Sequence, residues 1–294
     1  MNRMFLKLLS PRIWRRIYLE RLGEPFLYNL MSVFYYFFGS IETKIDYDLI
    51  PRQPYAFGIK EAFAIARAEQ ATKIYFVEFG VAAGAGLFSM AHIASRLSPR
   101  YRIDYEVVGF DTGKGMPEAV DYRDHPEKYR AGDFPPVNLT SDRLPEKTRI
   151  YYGDVAEEVK KFTADINEQG GQLGFVAIDV DYYSSTVKCL ELFELPAGSL
   201  LSRVPVYLDD VNHIDHNPFC GELLAVNEFN KRQDMPRKIC QMNQLRNWRI
   251  FKNALWLDQM YFLHVFDSHY RKVETWQNEE KVVLANPFLS TENI

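Results

Sequence analysis

Thr72-Lys73-Ile74-Tyr75-Phe76-Val77-Glu78-Phe79-Gly80-Val81-Ala82-Ala83-Gly84-Ala85-Gly86 reads as a strand whose glycine-bearing turn opens directly onto a helix. The run up to Phe79 is β-branched and aromatic, whereas residues 86–97 carry the next helical stretch. Working outward, strand-like runs recur at residues 104–111, 148–153, 173–180 and 204–209, with helical stretches at 155–165, 184–195 and 219–232 between them. Such alternation predicts an α/β fold with a mostly parallel sheet and helices on both faces. Residues 237–242 and 260–266 read as strands with no strong helix between them, so an antiparallel pair is expected at one edge.

Composition narrows the class of function. Of 294 residues, 47% are hydrophobic and 25% charged, the balance of an ordinary globular chain able to bury a sizeable core. A formal charge of −4 gives no electrostatic case for a nucleic-acid partner, so small-molecule chemistry is the better expectation. Three cysteines, Cys189, Cys220 and Cys240, match neither a zinc site nor a disulfide framework, which points to a reducing cytoplasm.

The beginning of the chain differs from the rest. Residues 1–21 set six Lys or Arg against the single acid Glu20, interleaved with apolar side chains, and residues 25–38 are rich in aromatics. That aromatic run is too short for the ~20 residues of a bilayer-spanning helix, and no cleavable signal is visible. Helices packing on the catalytic domain or on a second subunit are preferred to a helix lying in a membrane interface. Residues 1–56 are therefore expected to form a helical extension, and residues 57–294 one catalytic domain, in a chain expected to be a homo-oligomer.

In an open parallel sheet, ligands bind beyond the carboxyl ends of the strands, where the strand order reverses. The notable acids all fall at such ends. Glu78 stands two residues before the first glycine of a Gly-x-x-x-Gly-x-Gly turn, not the Gly-x-Gly-x-x-Gly of a dinucleotide site, and a carboxylate there suits an ammonium or sulfonium ligand better than a pyrophosphate. Asp111, before Thr112, is placed either to accept hydrogen bonds from a ribose or to cap a turn. Asp154 would meet the exocyclic amine of an adenine or cap the helix that follows. Asp179 with Asp181, and Asp209 with Asp210, bring four carboxylates to neighbouring strand ends, an oxygen-rich set suited to magnesium or another hard divalent cation. Capping, or pairing with Lys114 or Arg203, is the plainer alternative for each. The long Pro/Asp/Tyr-rich connection 112–147 is expected to cover a substrate.

Glu78-Phe79-Gly80-Val81, Gly109-Phe110-Asp111-Thr112-Gly113-Lys114-Gly115-Met116-Pro117-Glu118, Ile178-Asp179-Val180-Asp181-Tyr182-Tyr183-Ser184-Ser185-Thr186 and Asp209-Asp210 together resemble the macrocin O-methyltransferase (TylF-like) family over roughly residues 57–267. The resemblance implies a Rossmann-like class I methyltransferase fold, a seven-stranded mostly parallel sheet with an antiparallel edge strand, using S-adenosylmethionine and Mg2+ to methylate a sugar hydroxyl. It places Glu78, Gly80 and Gly84 on the methionine side of the cofactor, Asp111 at its ribose and Asp154 near its adenine, with Phe79, Gly86 and Thr112 also expected among the cofactor-binding residues. Asp179, Asp209 and Asp210 become metal ligands, with Asp181 as a substitute, and Asp179 also borders the cofactor. The turn 82–86 departs from the family's more polar pattern, and the segment after Asp210 continues into Val211-Asn212-His213. A hydroxyl is a poor nucleophile until a cation acidifies and orients it, and Asp179, Asp181 or His213 is the expected proton acceptor. His213 otherwise reads as a loop hydrogen-bonding group, and Tyr182 and Tyr183 either line the acceptor pocket or pack. The competing functions are a metal-independent methyltransferase of amines or carboxylates, a non-catalytic cofactor-binding partner of another glycan-pathway enzyme, and a nicotinamide dehydrogenase disfavoured by the glycine spacing.

Overall fold

The computed structural model describes Trp14 and residues 17–135, 139–212 and 215–276. After a single π-helical turn, Ile17–Arg21, come helices α1 (Phe26–Phe38), α2 (Ile41–Asp46) and α3 (Gln53–Ala68). Pro25 starts α1, and the Ser40 hydroxyl accepts from the Thr43 amide to cap α2. Pro54 in the first turn of α3 fits the same rule, so this helix starts four residues earlier than the apolar spacing from Phe57 suggests.

Beyond residue 72 the elements alternate as β1 (Lys73–Phe79), α4 (Ala85–Tyr101), β2 (Asp104–Asp111), β3 (Thr148–Tyr152), α5 (Val155–Gln169), β4 (Gln172–Ile178), α6 (Tyr183–Leu190), β5 (Arg203–Leu208), α7 (Gly221–Lys231), β6 (Arg237–Gln241) and β7 (Met260–Val265). The sheet runs β3-β2-β1-β4-β5-β7-β6. Strands β1 to β5 pair in parallel, while β7 is antiparallel to both β5 and β6. The antiparallel strand β7 thus lies just inside the edge, between β5 and β6.

A parallel sheet covered on both faces has no solvent side, which is why β1 and β4 are apolar at nearly every position. Tyr55, Ile59 and Phe63 of α3 and Leu87, Met90 and Ala94 of α4 belong to the core that includes β1 and β4, and so does Phe162 of α5. This is a doubly wound α/β arrangement, and its strand order reverses between β1 and β4.

The N-terminal helices are fastened to the domain by a loop before β7. Arg249, whose side chain is 5% exposed, donates to the carbonyls of Ile45 (2.8 Å) and Asp46 (3.1 Å) and to Asp48 Oδ1 (2.7 Å). Glu24 accepts from the amides of Lys252 and Asn253, and the Arg21 guanidinium lies 3.8 Å from the centre of the Phe251 ring. Breaking a buried ion pair from one side strands the other charge, so Arg249→Ala is expected to cost about 3 kcal/mol in urea unfolding, partly recovered by adding Asp48→Asn. A loss under about 0.5 kcal/mol, the scale of an ordinary surface change, would show that this clasp holds nothing together.

Candidate active site

Four strands end at one cleft of about 350 Å³, within the range of small-molecule sites. Gly80 and Ala82 of the turn after β1, Asp111 and Thr112 at the end of β2, Asp179, Val180 and Asp181 after β4, and Asp209 and Asp210 after β5 all line it. The 112–147 connection supplies Gly115, Met116, Pro117, Tyr129 and Phe134, so the segment expected to cover a substrate does form a wall. Its fold is held by Asp124, fully buried, which accepts from the amides of Val120 and Ser184 (both 2.8 Å) and from the Ser184 hydroxyl (2.9 Å).

Gly80 sits at φ +85°, and a Cβ there would fall 1.8 Å from the carbonyl oxygen of Asp179. Its amide donates to Phe110 O, and the Asp179 amide donates to Phe79 O, each at 3.0 Å. The turn is thereby stitched to the tips of both β2 and β4. Asp111 Oδ2 accepts from the amides of Val81 (3.1 Å) and Ala82 (2.9 Å), and Oδ1 from Gly113 (2.7 Å). Three amides leave about one of the roughly four acceptor positions of a carboxylate for a ligand hydroxyl.

Several residues named from sequence stand outside the lining. Glu78 is 1% exposed beneath the turn, accepting from Tyr55 Oη at 2.8 Å, and Gly86 is glycine because a Cβ would lie 1.7 Å from Glu78 Oε1. Phe79 stacks on Phe110 in the core at 4.8 Å between centroids, and Gly84 caps α4. Asp154 caps α5 by accepting from the Ala156 amide (3.0 Å) and pairs with Lys188 (2.7 Å). Tyr182 is fully buried, and the Tyr183 hydroxyl donates to Glu228 at 2.6 Å, so both pack instead of facing the cleft. His213 lies outside the described residues.

Burial pushes the Glu78 carboxyl up to about 7, against the Tyr55 hydrogen bond and the Arg52 charge, which both pull it down. Between the ordinary 4.5 and that value the folded chain holds a proton that the unfolded chain has released, so this group makes stability fall as pH rises across the window. At 1.36 kcal/mol per pKa unit the fall is about 3 kcal/mol. Glu78→Gln keeps the neutral form at every pH, and urea unfolding of this variant is expected to lose that slope; an unchanged slope would assign it elsewhere.

The acids after β4 and β5 crowd one another. Burial raises the Asp179 carboxyl well above the usual range, and repulsion from Asp209, Asp181 and Glu78 adds to it. Asp210 is raised in the same way, first by burial and then by a hydrogen bond shared with Asp181. The Tyr207 hydroxyl donates to Asp209, and Tyr129 Oη to Asp210 Oδ1 at 3.4 Å. Among the described residues no three His, Cys, Asp or Glu side chains are set as ligands of a common point, so Asp179, Asp209 and Asp210 share a cleft without forming a closed metal cage.

Sequence reading missed three supports of this cluster. Glu222, at the start of α7, is 1% exposed and accepts from the Asp210 amide at 3.1 Å, and burial followed by the nearby Asp210 and Asp209 pushes its carboxyl well up. Tyr55 bridges α3 to Glu78, and the positive charge of Arg52 is felt by both Glu78 and Asp179. A helix at 219–232 was legible, but no local pattern distinguishes an inward first-turn acid from an ordinary helix-end one.

No family model matches the chain, and no curated protein does. Among solved structures it is similar to the apo structure of CalS11, a TDP-rhamnose 3'-O-methyltransferase of calicheamicin biosynthesis, at 20% identity over 62% of this chain and 73% of that one, with a TM-score of 0.39. It is also similar to the plantazolicin methyltransferase BpumL in complex with SAH, at 12% identity over 76% of this chain and 87% of that one, with a TM-score of 0.30. The fold class rests on the strand order itself.

Proposed function

We propose that the chain is an S-adenosylmethionine-dependent O-methyltransferase that uses a divalent cation, with a hydroxyl of a sugar or related polyol as acceptor. One observation carries the reading: strand-end carboxylates after β4 and β5 share, with the glycine turn after β1 and Asp111 after β2, a single cleft at the point where the strand order reverses.

The donor types suit both groups, although no three of the described acids are set as ligands of a common point. Asp111 keeps acceptor capacity for a ribose hydroxyl, Gly80 lets backbone come close, and Met116, Pro117, Phe134 and Val155 give apolar surface for a flat base. Asp179, Asp209 and Asp210 are hard oxygen donors whose crowding favours a proton or a cation among them. Bound S-adenosylmethionine supplies a methyl carbon made electrophilic by its sulfonium. A divalent cation held by Asp179, Asp209 and Asp210 would supply acidification and orientation of the acceptor hydroxyl. Asp181, next to them on the same wall, is the carboxylate left to take the hydroxyl proton as the new O–C bond forms and the S–C bond breaks. The wall from 112–135 shields the cleft, and most of the rate enhancement comes from holding oxygen, carbon and sulfur in line.

Two measurements test the reading. S-adenosylhomocysteine at 100 times its Kd is expected to stabilise the chain by about 2.7 kcal/mol, and NADH by nothing. Transfer of labelled methyl to sugar nucleotides or simple polyols is expected to stop with EDTA and return with Mg2+. Turnover indifferent to chelation would favour the metal-independent alternative, and absence of any S-adenosylhomocysteine shift would end the proposal.

A further inference from the structure

The thirteen residues of α1, Phe-Leu-Tyr-Asn-Leu-Met-Ser-Val-Phe-Tyr-Tyr-Phe-Phe, contain no charge, and only Ser32 among them is buried. One stripe faces the protein: Met31 accepts weakly from the Tyr47 hydroxyl, and the Tyr35 ring lies 4.7 Å from that of Tyr47. The opposite stripe, Phe26, Leu30, Val33, Phe34, Phe37 and Phe38 at helical spacing, is solvent-exposed, with Phe26 80% and Phe38 76% accessible. A contiguous aromatic face of this kind on a helix otherwise anchored by its inner side marks an interaction surface.

Charge identifies the occupant. Residues 1–16, separated from α1 by nine residues that include Glu20, Arg21 and Glu24, carry Arg3, Lys7, Arg12, Arg15 and Arg16 and no acid, while the rest of the chain holds the entire acidic excess. A second copy would bring a second basic sequence of the same sign with it, since a two-fold contact uses the same patch twice. An anionic bilayer neutralises that positive charge, and aromatic side chains favour the interfacial layer. The helix is about 20 Å long against a hydrocarbon core of about 30 Å, and among the described residues no helix is long and apolar enough to cross a membrane. We propose that α1 is a peripheral membrane-binding element that lies along an anionic lipid surface, to which the basic charge carried upstream in the sequence adds electrostatic attraction. This inference is independent of the methyl-transfer reading.

Cosedimentation of the full chain with lipid vesicles tests it. The chain is expected to pellet with phosphatidylcholine/phosphatidylglycerol vesicles, to pellet less with phosphatidylcholine alone, and to be released by high salt. The triple variant Phe34→Ser/Phe37→Ser/Phe38→Ser alters only exposed positions and is expected to bind at least about tenfold more weakly with an unchanged Tm. Wild-type chain left in the supernatant with anionic vesicles, or a triple variant that pellets as well as wild type, would overturn the proposal. A dimer in analytical ultracentrifugation that this variant dissociates, without vesicle binding by either form, would give the stripe to a second copy instead.

Discussion

Asp179→Asn is expected to lower methyl transfer by about 10³-fold or more while raising the melting temperature of the ligand-free chain. The two effects share one cause. Asp179 stands with Asp209 and Asp181 in a cleft wall where burial and mutual repulsion drive its carboxyl upward. An amide of the same shape removes one member of that repulsion, worth about 1–2 kcal/mol to the fold, and the gain grows as pH rises above the ordinary carboxylate range, where the native group is pressed to ionise. The same change deletes an anionic oxygen donor from the proposed cation set, and loss of a ligand removes acidification and orientation of the hydroxyl together. Activity assays and thermal unfolding on one preparation decide it. A variant that loses activity and stability in parallel would indicate a merely structural aspartate, and one that keeps activity would remove Asp179 from the mechanism.

Gly80→Ala is expected to be the most damaging single-atom addition in the domain, at about 4 kcal/mol or more in urea unfolding. The added Cβ meets backbone, 1.8 Å from the Asp179 carbonyl oxygen and 2.9 Å from its carbon, at a φ of +85° that side chains resist. No rotamer relieves an overlap with main chain, so either the β1 turn or the tip of β4 must move. Either movement breaks the stitches from Gly80 to Phe110 and from Asp179 to Phe79. Folded residual protein should therefore also bind S-adenosylhomocysteine poorly. Gly198→Ala, where a Cβ meets nothing within 4 Å, is the control and should change stability by under about 0.5 kcal/mol. Equal effects at the two positions would refute the close-approach argument.

The fold was legible because local pattern and global packing agree. Every strand read between residues 72 and 266 appears within two residues of its expected ends, since the central strands, buried on both faces, are largely apolar and the flanking turns are rich in Gly, Asp and Pro. Helix α3 was displaced because Pro54 extends the helix upstream of its apolar spacing. The strand-end acids were also visible, but what each one touches was not. Asp154 and Asp111 sit at equivalent ends of neighbouring strands, yet one is engaged by a helix terminus and Lys188 while the other faces the cleft and holds the β1 turn.

By itself, then, the sequence determined the order of the elements, the doubly wound parallel class and the strand ends at which carboxylates would gather, because hydrophobic period and turn chemistry act over a few residues. Only the tertiary structure decided that Glu78 is sealed under Gly86 by Tyr55, that Glu222 arrives behind Asp210 from a different helix, and that α1 turns its aromatic stripe outward. Those outcomes depend on contacts between residues 12 and 23 positions apart and on which face a packed helix presents. Close packing fixes such relations in space, and no window of sequence contains them.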